Sequence, residues 1–166
     1  MAGSFIDTTV LLYLAGTDAA KAARAEAVVA AGGAISVQVL NEIANVARRK
    51  MGLSWAEIAT FLGALRGLLA VHPLTEATHG AGLGLAERYG FSVYDAMIVA
   101  AALGAGCGIL YSEDMQDGMH LAEGLRIVDP FRGGAGCRPA VALWWVGGGL
   151  SDQRKVCGGA GAVVGV

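Results

Sequence analysis

The sequence predicts an α/β fold, a three-layer sandwich in which a short central parallel sheet has helices on both faces. Short apolar runs of three to six residues alternate with helix-forming segments, most of them ten residues or longer. The chain of 166 residues is 55% hydrophobic, which is enough to bury such a sheet on both sides. Acidic residues follow several of the apolar runs, and parallel sheets bind ligands at the carboxyl ends of their strands.

The first half of the chain predicts two strands and four helical segments. The apolar run Ser4-Phe5-Ile6 stops at Asp7 and predicts a buried strand. An alanine-rich helix further on ends at Gly32-Gly33, since glycine terminates helices readily. Ser54 and Glu57 have the spacing of a capping box at the start of a later helix. In order, the predicted elements are a strand at 4–6, a helical segment at 8–15, a helix at 18–31, a strand at 34–36 and helices at 37–50 and 54–68.

The second half predicts three strands and two helices. Gly90 ends the first of these helices, and Ser92 begins the second with a capping spacing to Asp95. The segment 96–112 has no charge, but its three glycines and its length, short for a membrane span, favour a helix followed by a buried strand. In order, the predicted elements are a strand at 69–74, helices at 75–89 and 92–105, and strands at 108–111 and 125–128.

Charge and composition divide the chain near residue 131. Residues 1–131 hold 8 basic and 13 acidic side chains, a net charge of −5. Residues 132–166 have a net charge of +3, 10 of the 26 glycines and no sustained helix or strand periodicity. We therefore expect one domain at 1–131 and a glycine-rich, poorly ordered appendage at 132–166.

The cysteines and the N-terminal segment indicate a reducing compartment. Cys107, Cys137 and Cys157 are too few for a disulfide framework and are not spaced as metal-binding pairs. The first seven residues contain no basic region followed by an apolar run, so we expect no signal peptide. The sequence therefore predicts a cytoplasmic protein that does not bind membranes.

Four acidic positions fall where the predicted sheet would place a site. Asp7 directly follows the first strand, and Glu42 lies in the first two turns of the helix after the second strand. Asp95 lies in the first turn of a helix, and Asp114 follows the strand at 108–111. Buried carboxylates cost desolvation energy unless something compensates their charge. A hard divalent cation such as Mg²⁺, which prefers oxygen ligands, is one such compensator.

Each acidic position also has a simpler interpretation. Asp95 would then cap its own helix, and Glu42 would pair with Arg49 two turns later on the same face. Asp114 and Asp117 would be ordinary turn formers before a glycine. Asp7 is the hardest to explain in this way, because it ends an apolar strand at the start of the fold.

Five segments together resemble the PIN-domain proteins, and their order and spacing are similar to those of the VapC-like toxins of bacterial toxin–antitoxin pairs. The resemblance covers about residues 1–131. Each block alone is unspecific, but the combination is specific. The matching segments are Phe5–Tyr13, Ile35–Glu42, Ala86–Ala100, Ile109–Gly118 and Leu125–Phe131.

The resemblance implies an endoribonuclease that depends on Mg²⁺ or Mn²⁺ and hydrolyses RNA with a metal-activated water. Its catalytic acids would be Asp7, Glu42, Asp95 and Asp114. The metal would be held by Asp7, Asp95 and Asp114, with Asp117 as an additional or alternative ligand. The resemblance further implies a homodimer and a complex with a cognate antitoxin.

Substrate contacts are expected from Thr9, Arg48 and Arg49. The two arginines end a helix, where they compensate its dipole or contact a phosphate of RNA. Thr9 stands where the family usually has asparagine, and a hydroxyl replaces the amide's donor–acceptor pair. The sequence therefore leaves a second function open, a catalytically weakened PIN domain that acts by binding an antitoxin or RNA.

Overall fold

Five short parallel strands form the central sheet, in the spatial order β3-β2-β1-β4-β5. The structure is a computed structural model and describes residues 3–132. The expected appendage at 132–166 lies outside the described residues apart from Arg132, and its boundary stays a prediction. The strands are β1 (Ser4–Ile6), β2 (Ala34–Ser36), β3 (Ala70–His72), β4 (Ile109–Tyr111) and β5 (Arg126–Val128).

The topology confirms the predicted three-layer α/β architecture. The chain runs from β1 outward to β2 and β3, then returns to β4 on the other side of β1. Parallel connections are right-handed in nearly all proteins, so crossovers in opposite directions put helices on opposite faces. The direction changes between β1 and β4, and open α/β sheets bind ligands at such a switch point.

Six α-helices connect the strands. The predicted helical segment at 8–15 consists of a short α-helix that continues as a 3₁₀-helix at Leu12–Ala15. The predicted strand at 69–74 is shorter, because Pro73 has no N–H for the sheet and follows the last residue of β3. The helices are α1 (Thr8–Leu11), α2 (Ala19–Ala30), α3 (Val37–Arg49), α4 (Trp55–Leu68), α5 (Glu76–Tyr89) and α6 (Val93–Gly104).

The predicted helix ends are confirmed. The Ser54 side chain accepts from the backbone of Glu57, whose carboxylate accepts from the backbone N–H of Ser54, as a capping box requires. Gly90 ends α5 with a φ of 75°, a left-handed conformation that glycine adopts without a Cβ clash. Ser92 caps α6 by accepting from the N–H of Asp95.

The core lies between the sheet and the inner helix faces. Phe5, Ile35 and Leu110, from three adjacent strands, are fully buried. Seven consecutive residues of α6, Ala96–Ala102, are buried, which explains the uncharged run there. Among residues 3–132, no helix is long and apolar enough to cross a membrane.

Candidate active site

Strand register brings the ends of β1 and β4 together. Ile6 is opposite Tyr111, so Asp7 and Ser112 leave the sheet side by side. The backbone N–H of Asp7 donates to the carbonyl of Tyr111 over 2.9 Å. The Ser112 hydroxyl donates to Asp7 Oδ2 over 2.7 Å. Asp7 therefore lies at the switch point of the sheet.

Asp7 is a buried carboxylate with only neutral donors around it. Its residue is 3% exposed. Oδ1 accepts from the backbone N–H of Thr8 over 2.6 Å, and Oδ2 accepts from the hydroxyls of Thr9 and Ser112. The pKa of Asp7 is raised to about 6, because burial and, to a smaller extent, the charge of Glu42 raise it by more than these hydrogen bonds lower it. No ion pair reaches Asp7 among residues 3–132.

Glu42 is the second carboxylate at this point of the fold. It lies in the second turn of α3, which begins at the end of β2. Oε2 accepts from the Thr8 hydroxyl over 2.9 Å, and Oε1 accepts from Gln38 Nε2 over 2.7 Å. Thr8 thus bonds to both acids, through its backbone to Asp7 and through its side chain to Glu42. The alternative ion pair with Arg49 is not formed within the described part of the chain.

Thr9 connects Asp7 to the segment after β4. Its hydroxyl donates to Asp7 Oδ2 over 3.0 Å and accepts from the backbone N–H of Glu113 over 3.2 Å. One hydroxyl therefore supplies both the donor and the acceptor that an asparagine amide would supply from two atoms.

The other predicted acids do not hydrogen-bond to Asp7. Asp95 is half-buried in the first turn of α6, and its Oδ2 accepts from the Ser92 hydroxyl over 2.7 Å. Asp114 is exposed and lines a cleft of about 430 Å³ together with Thr9 and other residues. Asp117 Oδ1 accepts from the backbone N–H of Asp129, twelve residues later, over 2.9 Å.

The carboxylates at the site suit a divalent cation by their chemistry, but their arrangement suits it only in part. Asp7 and Glu42 offer carboxylate oxygens, the ligands that Mg²⁺ and Mn²⁺ prefer, and no cationic side chain of residues 3–132 pairs with them. Within residues 3–132, no three His, Cys, Asp or Glu side chains form a group that could hold a metal ion. The fit therefore rests on this pair.

Arg48 and Arg49 lie at the far end of α3. Seven residues of helix separate Glu42 from Arg49, a rise of about 10 Å. The Arg48 guanidinium donates to the carbonyl of Leu53 over 3.1 Å and stacks on Trp55, 5.5 Å from the ring centroid. These two arginines are therefore near the helix end and away from the carboxylate pair.

Sequence reasoning missed a charged cluster beside the cleft. Tyr13 donates to Glu113 Oε2 over 2.6 Å, and Lys21 Nζ donates to Tyr13 over 2.7 Å. Lys21 also forms an ion pair with Glu113. Lys21 and Glu113 stand 92 positions apart in the sequence, and no periodicity or motif connects them. Only the acidic pair Glu113-Asp114 after a strand was visible in the sequence.

Comparisons with known proteins agree with the fold. The family model of the PIN domain matches residues 4–116. A crystal structure of Mycobacterium tuberculosis VapC20, described as a sarcin–ricin loop cleaving toxin, is 22% identical with a TM-score of 0.57, covering 67% of this chain and 89% of that one. A toxin–antitoxin complex from Klebsiella pneumoniae is 19% identical with a TM-score of 0.59, covering 77% and 98%. At these identities the two structures establish similarity of fold. No curated protein matches the sequence.

Proposed function

The chain belongs to the PIN domain family, and from that premise we propose that it is a Mg²⁺- or Mn²⁺-dependent endoribonuclease, the toxin of a type II toxin–antitoxin pair. The observation that carries the proposal is Asp7, a buried carboxylate beside Glu42 at the switch point of the sheet, with no cationic partner in the described chain. The two similar structures support the biological class, since one is called a sarcin–ricin loop cleaving toxin and the other a toxin–antitoxin complex.

Asp7 and Glu42 would hold the cation. Asp95 and Asp114 are the proposed further acids, with Asp117 as an alternative ligand, on the strength of the family motif. When bound, the divalent cation supplies positive charge that makes a water molecule more acidic and offsets charge on the departing oxygen of the phosphodiester. The chain then needs no covalent nucleophile of its own.

The chain's own side chains fix the orientation of the two acids. Thr8, Thr9 and Ser112 fill the acceptor positions of Asp7 that face the protein. Gln38 and Thr8 hold one oxygen each of Glu42. Because neutral donors hold these carboxylates, both keep their negative charge available for a cation. Such supporting bonds around ligands are typical of metal sites.

The RNA backbone would extend from this site toward the end of α3. Arg48 and Arg49, about 10 Å along the helix from Glu42, would contact a phosphate other than the one that is cut. Thr9 would contact RNA in the cleft that it lines together with Asp114. The alternative, a PIN domain that only binds, rests on the loss of the usual asparagine. The two hydrogen bonds of Thr9 favour the catalytic function.

The proposed partners are RNA, a cognate antitoxin and a second copy of the chain. An apolar groove of about 490 Å³ between α5 and α6, lined by small side chains such as Ala81 and Ala100, is compatible with a protein contact. Light scattering of the chain alone and with the product of an adjacent antitoxin gene tests both assemblies.

The decisive experiment is cleavage of total RNA by the purified chain. We expect cleavage with Mg²⁺ or Mn²⁺, none with EDTA and a strongly reduced rate from Asp7→Asn. Glu123→Gln, which removes a surface acid paired with Arg88, is the matched control and is expected to cleave normally. Growth arrest on induction should disappear in Asp95→Asn. Cleavage that survives EDTA contradicts the metal mechanism, and arrest that persists in Asp95→Asn favours the binding function.

A further inference from the structure

A lysine, a tyrosine and a glutamate form a closed cluster next to the proposed cation site. Lys21 Nζ donates to Tyr13 and pairs with Glu113, while Tyr13 donates to the other oxygen of Glu113. Lys21 also lies over the Tyr13 ring, 4.5 Å from its centroid, and over Phe131 at 5.2 Å. The lysine is thus held by an ion pair, a hydrogen bond and two ring faces.

The cluster is joined covalently and by hydrogen bonds to the site. Glu113 immediately precedes Asp114, and both line the same cleft as Thr9. The backbone N–H of Glu113 donates to Thr9, whose hydroxyl donates to Asp7. Movement of the Glu113 backbone therefore changes the hydrogen bonding of Asp7.

Glu113 differs from Asp7 and Glu42 in having a cationic partner, Lys21. An unpaired Glu113 would be a mobile acid beside Asp114, able to turn into the cleft. The paired one has both oxygens occupied.

We propose that Lys21 is a positioning residue, which keeps the Glu113 carboxylate away from the cation site and holds its backbone against Thr9. The inference rests on the proposed function only in requiring a divalent cation at that site. Lys21 touches neither RNA nor the cation, and it acts through Glu113. By pairing with Glu113, Lys21 prevents that carboxylate from becoming an additional free negative charge at the site.

A purely structural role for Lys21 predicts a different outcome, and Arg24 separates the two. Arg24 is on the same helix and also ties α2 to the end of the domain, because its Nε donates to the carbonyl of Pro130 over 2.9 Å. It makes no contact with Glu113 or Thr9 among the described bonds. Arg24→Met therefore removes a tether of α2 and leaves the Lys21–Glu113 pair in place.

The test is the dissociation constant of Mn²⁺ for the full chain, measured by titration calorimetry. We expect Lys21→Met to bind Mn²⁺ about fivefold more tightly, the scale for one added unit charge some 10 Å from a divalent cation in water. Lys21→Arg and Arg24→Met should match the wild type. The double variant Lys21→Met/Glu113→Gln should return to the wild-type value, because it removes both charges of the pair.

Equal Mn²⁺ affinity in the wild type and Lys21→Met, or a double variant as tight as Lys21→Met, overturns the inference. If Lys21→Met does not fold, Glu113→Gln gives the reverse test, since an unpaired lysine should weaken Mn²⁺ binding by a similar factor. RNA cleavage is not the readout. A chain that shows this binding pattern and cuts no RNA overturns the proposed function alone, and one that cuts RNA with equal affinities overturns this inference alone.

Discussion

Asp7 and Glu113 are two carboxylates joined through one hydroxyl, that of Thr9, and the protein treats their charges in opposite ways. Asp7 is 3% exposed, has neutral donors only, and has its pKa raised to about 6, mainly by burial. The Glu113 side chain is 25% exposed and pairs with Lys21, and its pKa is lowered. The chain supplies a cation for the accessible acid and none for the buried one.

The difference shows that the energetically unfavourable charge is the one at Asp7. An ionised Asp7 costs free energy in the metal-free protein, because desolvation exceeds what its hydrogen bonds return. A bound divalent cation would recover that energy, so the strain favours binding. Glu113 has no such cost to recover.

The largest difference is expected in RNA cleavage. Asp7→Asn should lower the cleavage rate by about a thousandfold, the scale of losing a group that stabilises transition-state charge. Glu113→Gln should lower it by no more than about tenfold, because Glu113 only positions its neighbours. Rates on one RNA substrate at saturating Mg²⁺ measure both. Equal losses of cleavage rate in the two variants would contradict the different roles of Asp7 and Glu113.

The second difference is the pH dependence of stability without metal. The folded pKa of Asp7 is about 6 and its unfolded value is 3.8, so its favourable contribution is present below pH 3.8 and is lost as the pH rises through 6. Wild type should therefore lose about 2 kcal/mol relative to Asp7→Asn between pH 4 and pH 7. Urea unfolding of both proteins in EDTA measures this, and the comparison cancels other titrating groups. A constant difference across that range would contradict a desolvated Asp7.

The third test is the hydroxyl that joins the two acids. Thr9→Val keeps the shape but removes one hydrogen bond to Asp7 and the acceptor for the Glu113 N–H. We expect cleavage to fall by about tenfold and the pKa of Asp7 to rise further, since the Thr9 bond lowers it. Thr9→Ser, which keeps the hydroxyl, is the control and should stay near the wild type. A pKa shift seen equally in both variants would mean that packing, not the hydroxyl, is responsible.

The smallest effect, of opposite sign, is expected at Glu113. The folded pKa of Glu113 lies below its ordinary value of 4.5, so its contribution to stability is present above pH 4.5 and is lost as the pH falls through the lowered folded pKa. Glu113→Gln should be slightly less stable than the wild type at pH 7 and equal to it in strong acid. Because the pair is partly exposed, the change should be smaller than that at Asp7. Thermal unfolding at several pH values gives the comparison.

Much of the fold was predictable because its signals are local. The short apolar runs, the capping box at Ser54 and the helix end at Gly90 depend on residues a few positions apart. The position of Asp7 after β1 and of Glu42 on α3 followed from the same patterns. The limits of β3 were predicted too wide, although Pro73 was visible.

The candidate site was predictable as a set of residues and not as a geometry. The sequence named Asp7, Glu42, Asp95 and Asp114, and the structure joins the first two through Thr8. Ser92, and not Asp95, caps α6, and the Asp95 carboxylate accepts from the Ser92 hydroxyl. The roles of Asp95 and Asp114 at a metal remain predictions. Side-chain rotation decides such contacts, and no sequence pattern records it.

The sequence by itself determined the order of strands and helices and the acids that follow the strands, because periodicity, caps and turns act within a few residues. The tertiary structure alone decided which of those acids carries an uncompensated charge. Asp7 meets Ser112 across 105 positions and Glu113 meets Lys21 across 92, both through strand register and helix packing. Desolvation and ion pairing depend on distance in space, and only the folded chain brings those groups together.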